Sequence, residues 1–174
     1  MRGDHPLPWK ALGLYSNEFR SLLLNLRSRP DRRSERSLIQ LLGEIMPERE
    51  RIELIPIPSW KQRYANPWPQ RICSSLQLQK PARPLLRRCR ASAGQHHLSR
   101  NQRLRNLNGT FHAEPADAKS SPSPLLWLVD DILTTGATAL AARAALTEAG
   151  HRVAGLICLA RTPTTGGDLR FTRR

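Results

Sequence analysis

The stretch Leu128-Val129-Asp130-Asp131-Ile132-Leu133-Thr134-Thr135-Gly136-Ala137-Thr138 gathers more chemistry than any other part of this 174-residue chain. Two adjacent carboxylates follow an apolar run, and a small, hydroxyl-bearing loop then opens an alanine-rich segment. Carboxylates placed there can accept hydrogen bonds from sugar hydroxyls. The loop from Thr134 through Thr135, Gly136 and Ala137 to Thr138 would present backbone N–H groups at a helix N-terminus, where the helix dipole also favours an anion. Thr134, Thr135 and Thr138 add hydroxyl donors. Gly136 allows close backbone approach and a conformation closed to other residues. A sugar carrying a phosphate on its 5′ carbon fits such an arrangement. A strand, glycine turn and helix are common separately; the unbroken run from Leu125 to Val129, the acid pair and the Thr-Gly loop together are far more restrictive.

Charge is the second signal. The net charge is +14, and between Glu53 and Glu114 there is no acidic residue, while eleven Lys and Arg side chains run from Lys61 to Arg105. Such a block attracts polyanions, whether pyrophosphate, nucleotides or a nucleic-acid backbone. A solvated basic face that favours solubility is the plainer alternative. Cys73, Cys89 and Cys158 are odd in number and far apart, so they fit neither a disulfide framework nor a CxxC zinc module. Cys158 lies in the run Leu156-Ile157-Cys158-Leu159 and is expected to be a buried strand residue. His96 and His97 are adjacent, so their side chains diverge, which argues against a metal site. No Ser-His-Asp or Cys-His arrangement points to hydrolysis.

The elements that must position these groups follow from periodicity. Residues 1–15 are punctuated by Pro and Gly and are expected to be irregular. Phe19, Leu22, Leu23 and Leu26 repeat at helical spacing up to Pro30, and Leu38, Leu41, Leu42 and Ile45 do so up to Pro47. Ile52 to Pro58 reads as a strand stopped by Pro56 and Pro58. The loop after it carries Lys61 and Arg63, well placed to meet an anionic ligand at a strand's carboxyl end. A helix is expected within residues 69–79 and a short strand around Pro84-Leu85-Leu86. Residues 91–113 are polar and basic with helical potential from Ser99 to Leu107, and Glu114 to Pro124 reads as a connector. The motif strand spans Leu125 to Val129. A helix ending near Gly150 should pack through Ala137, Leu140, Ala141 and Ala144, and Val153 to Leu159 supplies another strand. Strands alternating with helices indicate one α/β domain with a parallel-rich central sheet. No run is long enough to span a bilayer, and no signal-peptide core is visible, so the expectation is a cytoplasmic protein without membrane insertion.

The motif around Asp130 and Asp131 resembles the phosphoribosyl pyrophosphate (PRPP) signature of type I phosphoribosyltransferases. The order of Leu54-Ile55-Pro56-Ile57-Pro58, then Gln95 to Phe111, then Val129 to Thr138 further resembles the ComF family of phosphoribosyltransferase-like proteins linked to competence and DNA uptake. Within the middle piece the likeness rests on Leu98-Ser99-Arg100, Arg103, Arg105-Asn106 and Gly109-Thr110-Phe111. Two features depart from that family: no cysteine precedes Cys73, where many relatives carry a zinc module, and Tyr64 to Gln70 replace a frequent R-G-F-N-Q pattern.

The resemblance implies a type I phosphoribosyltransferase-like domain at residues 51–161, a packed helical segment at 1–50 and a tail at 162–174. It implies that Asp130 and Asp131 are the catalytic acids, holding the ribose hydroxyls and Mg²⁺, directly or through water. Thr134, Thr135, Gly136, Ala137 and Thr138 would take the 5′-phosphate. Lys61 and Arg63 would face pyrophosphate, and Arg100 and Arg103 would lie on a flexible loop. The implied ligand is PRPP or another phosphorylated ribose, whose 5-phosphoribosyl group is transferred or sensed with Mg²⁺ as cofactor. The alternative is a non-catalytic accessory that binds single-stranded DNA through residues 54–113 and works with competence proteins.

Overall fold

The computed structural model describes residues 1–46, 52–59, 66–76, 84–89, 109–117 and 124–163. Two strands with apolar residues on both faces form its centre. Strand β6 (Leu125–Val129) and strand β8 (Arg152–Arg161) pair in parallel, and continuous apolar runs are what a strand covered on both faces requires. Strand β3 (Ile52–Pro56) lies parallel to β6 on the outer side, and β2 (Trp9–Leu14) lies parallel to β8 on the other. The short β1 (Arg2–Gly3) adds an antiparallel edge, and β7 (Ile132–Leu133) pairs with the far end of β8. The main sheet runs β1-β2-β8-β6-β3, and a separate antiparallel hairpin joins β4 (Leu86–Arg88) to β5 (Phe111–Ala113). Pro56 is tolerated because β3 is an edge strand in this order.

Helices cover both faces. Helix α1 (Asn17–Ser28), α2 (Arg32–Glu44) and α3 (Trp68–Leu76) bury Leu23, Leu26, Leu38, Ile39, Leu42, Trp68 and Ile72 against Leu54, Trp127, Val129, Ile157 and Leu159. Helix α4 (Ala137–Glu148) and the hairpin cover the opposite face, where Leu126, Leu128, Leu156 and Cys158 point. The side chains of β6 and β8 thus alternate between two cores, as the two-residue period of a strand dictates. Asp31 caps α2, its carboxylate accepting from the N–H groups of Arg33 at 3.2 Å and Ser34 at 2.9 Å. Buried Glu35 takes the Arg71 guanidinium at 2.5 Å and ties α2 to α3.

Two expectations are corrected. Residues 1–15 are not irregular throughout, because Trp9–Leu14 forms a strand beside β8, with Trp9 and Ala11 buried. Pro6 and Pro8 conceal it in the sequence, and its partner is more than a hundred residues away. The buried face of α4 is Ala137, Ala139, Ala142 and Leu146, whereas Leu140 and Ala141 are only partly covered and Ala144 is exposed. Cys158 is fully buried, as its apolar neighbours predict. The helix proposed near Ser99 to Leu107, and residues 164–174 of the expected tail, lie outside the described residues. No described helix is long and apolar enough to cross a membrane.

Candidate functional site

Because β2, β3, β6 and β8 are parallel, their carboxyl ends share one edge of the sheet, the edge where open α/β sheets receive ligands. In register, Val129 faces both Pro56 and Ile157, so the chain leaves β6 at Asp130 while β8 runs on to Arg161. The acid pair links β6 to β7 where the regular ladder is interrupted. Asp130 donates its N–H to the Ile157 carbonyl at 3.1 Å, and the Asp131 carbonyl accepts from Leu159 at 2.9 Å and Ala160 at 3.1 Å. These bonds fix both residues to the sheet before the loop begins.

The two carboxylates have different surroundings. Asp131 is buried, and both of its oxygens are engaged: Oδ2 pairs with the Arg27 guanidinium of α1, and Oδ1 accepts the Ile132 N–H at 2.8 Å. Asp130 is half-buried at the mouth, and its Oδ1 accepts the Asp131 N–H at 2.9 Å. Burial pushes its carboxyl up from 3.8 to about 7, against the pull of the nearby Arg27 and Arg88 guanidinium groups. Arg88 reaches this place from β4, donating to the Pro58 carbonyl at 3.4 Å and lying 5.2 Å from the centre of the Phe111 ring. Cationic side chains from opposite faces of the sheet therefore flank the acids.

Asp131 depends on Arg27 for its charge balance, so the pair can be tested directly. Arg27→Ala is expected to lower stability by about 1–2 kcal/mol, less than a fully buried pair would lose because Arg27 is itself partly exposed. Urea denaturation at neutral pH measures this; an unchanged midpoint would rule out a structural role for the ion pair.

Beyond β7, Thr134 and Thr135 are exposed while Gly136 and Ala137 are buried. Gly136 has φ +77° and precedes the first turn of α4, so the chain enters the helix through a left-handed residue. The Thr135 hydroxyl accepts the Ala137 N–H at 3.4 Å. Among the described residues, the N–H groups of Thr134, Thr135 and Gly136 have no acceptor. Donors without acceptors at a helix N-terminus make a cradle of the kind that binds anions.

The structure thus brings Asp130, Asp131, Thr134, Thr135, Gly136, Ala137 and Thr138 to one edge. Lys61, Arg63, Arg100 and Arg103 lie outside the described residues, as does most of the basic block. Trp68 is core, packed with Ile72 under α3, and Phe111 is buried beneath Arg88. Cys73 and Cys158 are buried thiols pushed up to about 12, which leaves them protonated and unreactive at neutral pH. Sequence reasoning missed Arg27 and Arg161, and it counted Arg88 only as part of a basic block. For Arg161 there was a signal, a cation closing the apolar run of β8. For Arg27 there was none, because its partner is 104 residues away.

The fold is thus mixed α/β, a mostly parallel sheet between helices, with an acid pair and a donor-rich loop at its carboxyl edge. Searches against protein-family models and against curated proteins find no match for this chain.

Proposed function

We propose that this chain is a PRPP-binding, phosphoribosyltransferase-like protein of the ComF type that transfers or senses a 5-phosphoribosyl group with Mg²⁺. The observation that carries the reading is the set of N–H groups at Thr134, Thr135 and Gly136 that have no acceptor among the described residues, on the same sheet edge as the carboxylate of Asp130. A phosphorylated ribose needs both: donors for its phosphate and an acceptor for its hydroxyls.

The residues take distinct parts. Thr134 to Thr138 bind the 5′-phosphate through amides and hydroxyls. Asp130 accepts from the ribose hydroxyls, while Asp131, already held by Arg27 and Ile132, fixes the link between β6 and β7 that aims Asp130. The donor set fits hydrated Mg²⁺ at Asp130, whose carboxylate has one oxygen beyond its bond to the Asp131 N–H. Mg²⁺ keeps most of its waters and takes few carboxylates, and bound there it would supply charge neutralisation for a diphosphate. Arg88 adds a cation on the same side. Transfer at the anomeric carbon develops positive charge on the ribose, so fixed charges and positioning do most of the work.

The cradle alone is not enough. Charge-assisted hydrogen bonds contribute about 1.5–3 kcal/mol each, so three give roughly 5–9 kcal/mol before the costs of association. Micromolar affinity needs about 8 kcal/mol net. The acids, Mg²⁺ and diphosphate contacts must supply the remainder.

PRPP with Mg²⁺ is therefore expected to raise the melting temperature of the intact chain, and changing both Asp130 and Asp131 to Asn should remove the shift. Absence of any PRPP-dependent shift in the unmodified protein would sink the ligand claim.

A further inference from the structure

The Leu133 and Thr134 carbonyls are tied to the end of β8. Arg161 closes β8 with 6% of its surface exposed. Its Nη1 donates to the Leu133 carbonyl at 3.1 Å and also to the Thr134 carbonyl. The guanidinium carbon sits 5.9 Å from the centre of the Trp9 ring on β2, which restrains it from the other side. Thr162 adds its own N–H at 3.0 Å and hydroxyl at 3.3 Å to the Leu133 carbonyl. A planar trans peptide points its C=O and N–H in opposite directions. Drawing the Leu133 and Thr134 carbonyls toward Arg161 therefore turns the Thr134 and Thr135 N–H groups away from it, to the side where they have no acceptor among the described residues.

Charge makes a second, independent point. Among the described residues no carboxylate pairs with Arg161, whereas Arg27, Arg71 and Arg87 each have one. A buried cation without a counter-charge is costly, and its field is weakly screened where water is excluded. The carbonyl dipoles offset part of that cost. An anion on the other side of the same two peptides would offset the rest.

We infer that Arg161 is the positioning residue of the loop: it turns the Thr134 and Thr135 amides outward and supplies the buried positive charge that a phosphate dianion neutralises. The inference rests on the reading of Thr134 to Thr138 as a phosphate cradle. It goes beyond that reading in making a residue that never touches the ligand a determinant of phosphate affinity. Arg161 also explains why β8 outruns β6: the extra length carries the guanidinium beneath the loop.

Amide NMR of the full chain, titrated with inorganic phosphate and with ribose 5-phosphate, provides the test. Arg161→Lys keeps the charge, Arg161→Gln keeps a donor without charge, and Arg161→Met keeps neither. In the native chain the Thr134, Thr135 and Gly136 amides should shift and saturate. Affinity should fall about tenfold or more in the Gln and Met variants, the loss expected of one charge-assisted interaction, and by only a few-fold in the Lys variant. A residue that merely supports the fold would not separate Lys from Gln at equal thermal stability. If Met does not fold, the Lys and Gln comparison decides. Native amides that respond, with Gln and Lys variants binding phosphate equally well, would overturn the role of Arg161 and leave the cradle standing. Native amides that do not respond to either probe would overturn both.

Discussion

Replacing Asp130 by Asn should make the ligand-free protein more stable at pH 8 and should abolish the stabilisation by PRPP and Mg²⁺ expected of the proposed site. The side chain keeps its shape, and the Asn oxygen can still accept the Asp131 N–H that Asp130 holds at 2.9 Å. What changes is the charge. The Asp130 carboxyl rises from 3.8 to about 7 on folding because burial disfavours its ionised form more than Arg27 and Arg88 favour it. Between those values the folded chain binds a proton that the unfolded chain has released. Stability contributed here is therefore full below pH 4, falls as pH rises through the window, and levels off above pH 7. The Asn variant lacks this slope. The difference between the two proteins should be near zero at pH 4 and grow to about 2–4 kcal/mol at pH 8, the upper value being the full linkage energy. Paired urea titrations across that range measure it, and a difference that stays flat with pH would show that Asp130 is not held against its ionisation. A ligand cation that needs the ionised carboxylate should conversely bind more tightly from pH 6 to pH 8. A residue that costs stability in the free chain and is needed for a ligand is what a functional site predicts.

The chain's local chemistry told more about the central strands than about their neighbours. The run from Leu125 to Val129 was readable because a strand buried on both faces must be apolar without interruption. Helix α4 was readable as an element but not in its orientation, since an alanine-rich helix carries little contrast between faces. Strand β2 was hidden behind prolines, and its six residues gain their conformation from pairing with β8. The acid pair and the Thr-Gly loop were legible because they lie in one contiguous stretch of sequence. Their supports were not, because Arg27, Arg88 and Arg161 arrive from α1, β4 and β8 and meet the motif only after the sheet is assembled. The division between the acids was equally invisible. Adjacent and identical in type, they differ only in what the folded chain places beside each oxygen.

Gly136→Ala should be the most damaging single-atom enlargement at this edge, through the N-terminal segment rather than through the motif itself. Gly136 has φ +77°, which costs an L-residue roughly 1–2 kcal/mol. A Cβ there would also run into the Pro6 ring, with the Leu133 side chain 3.4 Å away on another side. Crowding of that kind adds about 1–3 kcal/mol, so a total loss of roughly 2–5 kcal/mol is expected. Gly150 provides the control. It too has a positive φ, +89°, but among the described residues an added Cβ would meet only the Ala116 methyl, at an ordinary 3.5 Å. Gly150→Ala should therefore lose only the conformational part, about 1–2 kcal/mol. The excess at position 136 belongs to Pro6, and Pro6→Gly combined with Gly136→Ala should recover it, as contacting residues couple in a double-mutant cycle. Denaturation midpoints at unchanged m-value provide the comparison. Equal losses at the two glycines, or no recovery with Pro6→Gly, would mean that residues near the N-terminus do not press on the loop. If the excess is found, Pro6 is a structural support of the loop from Thr134 to Thr138. The glycine is then required both for the turn into α4 and for the room that Pro6 occupies.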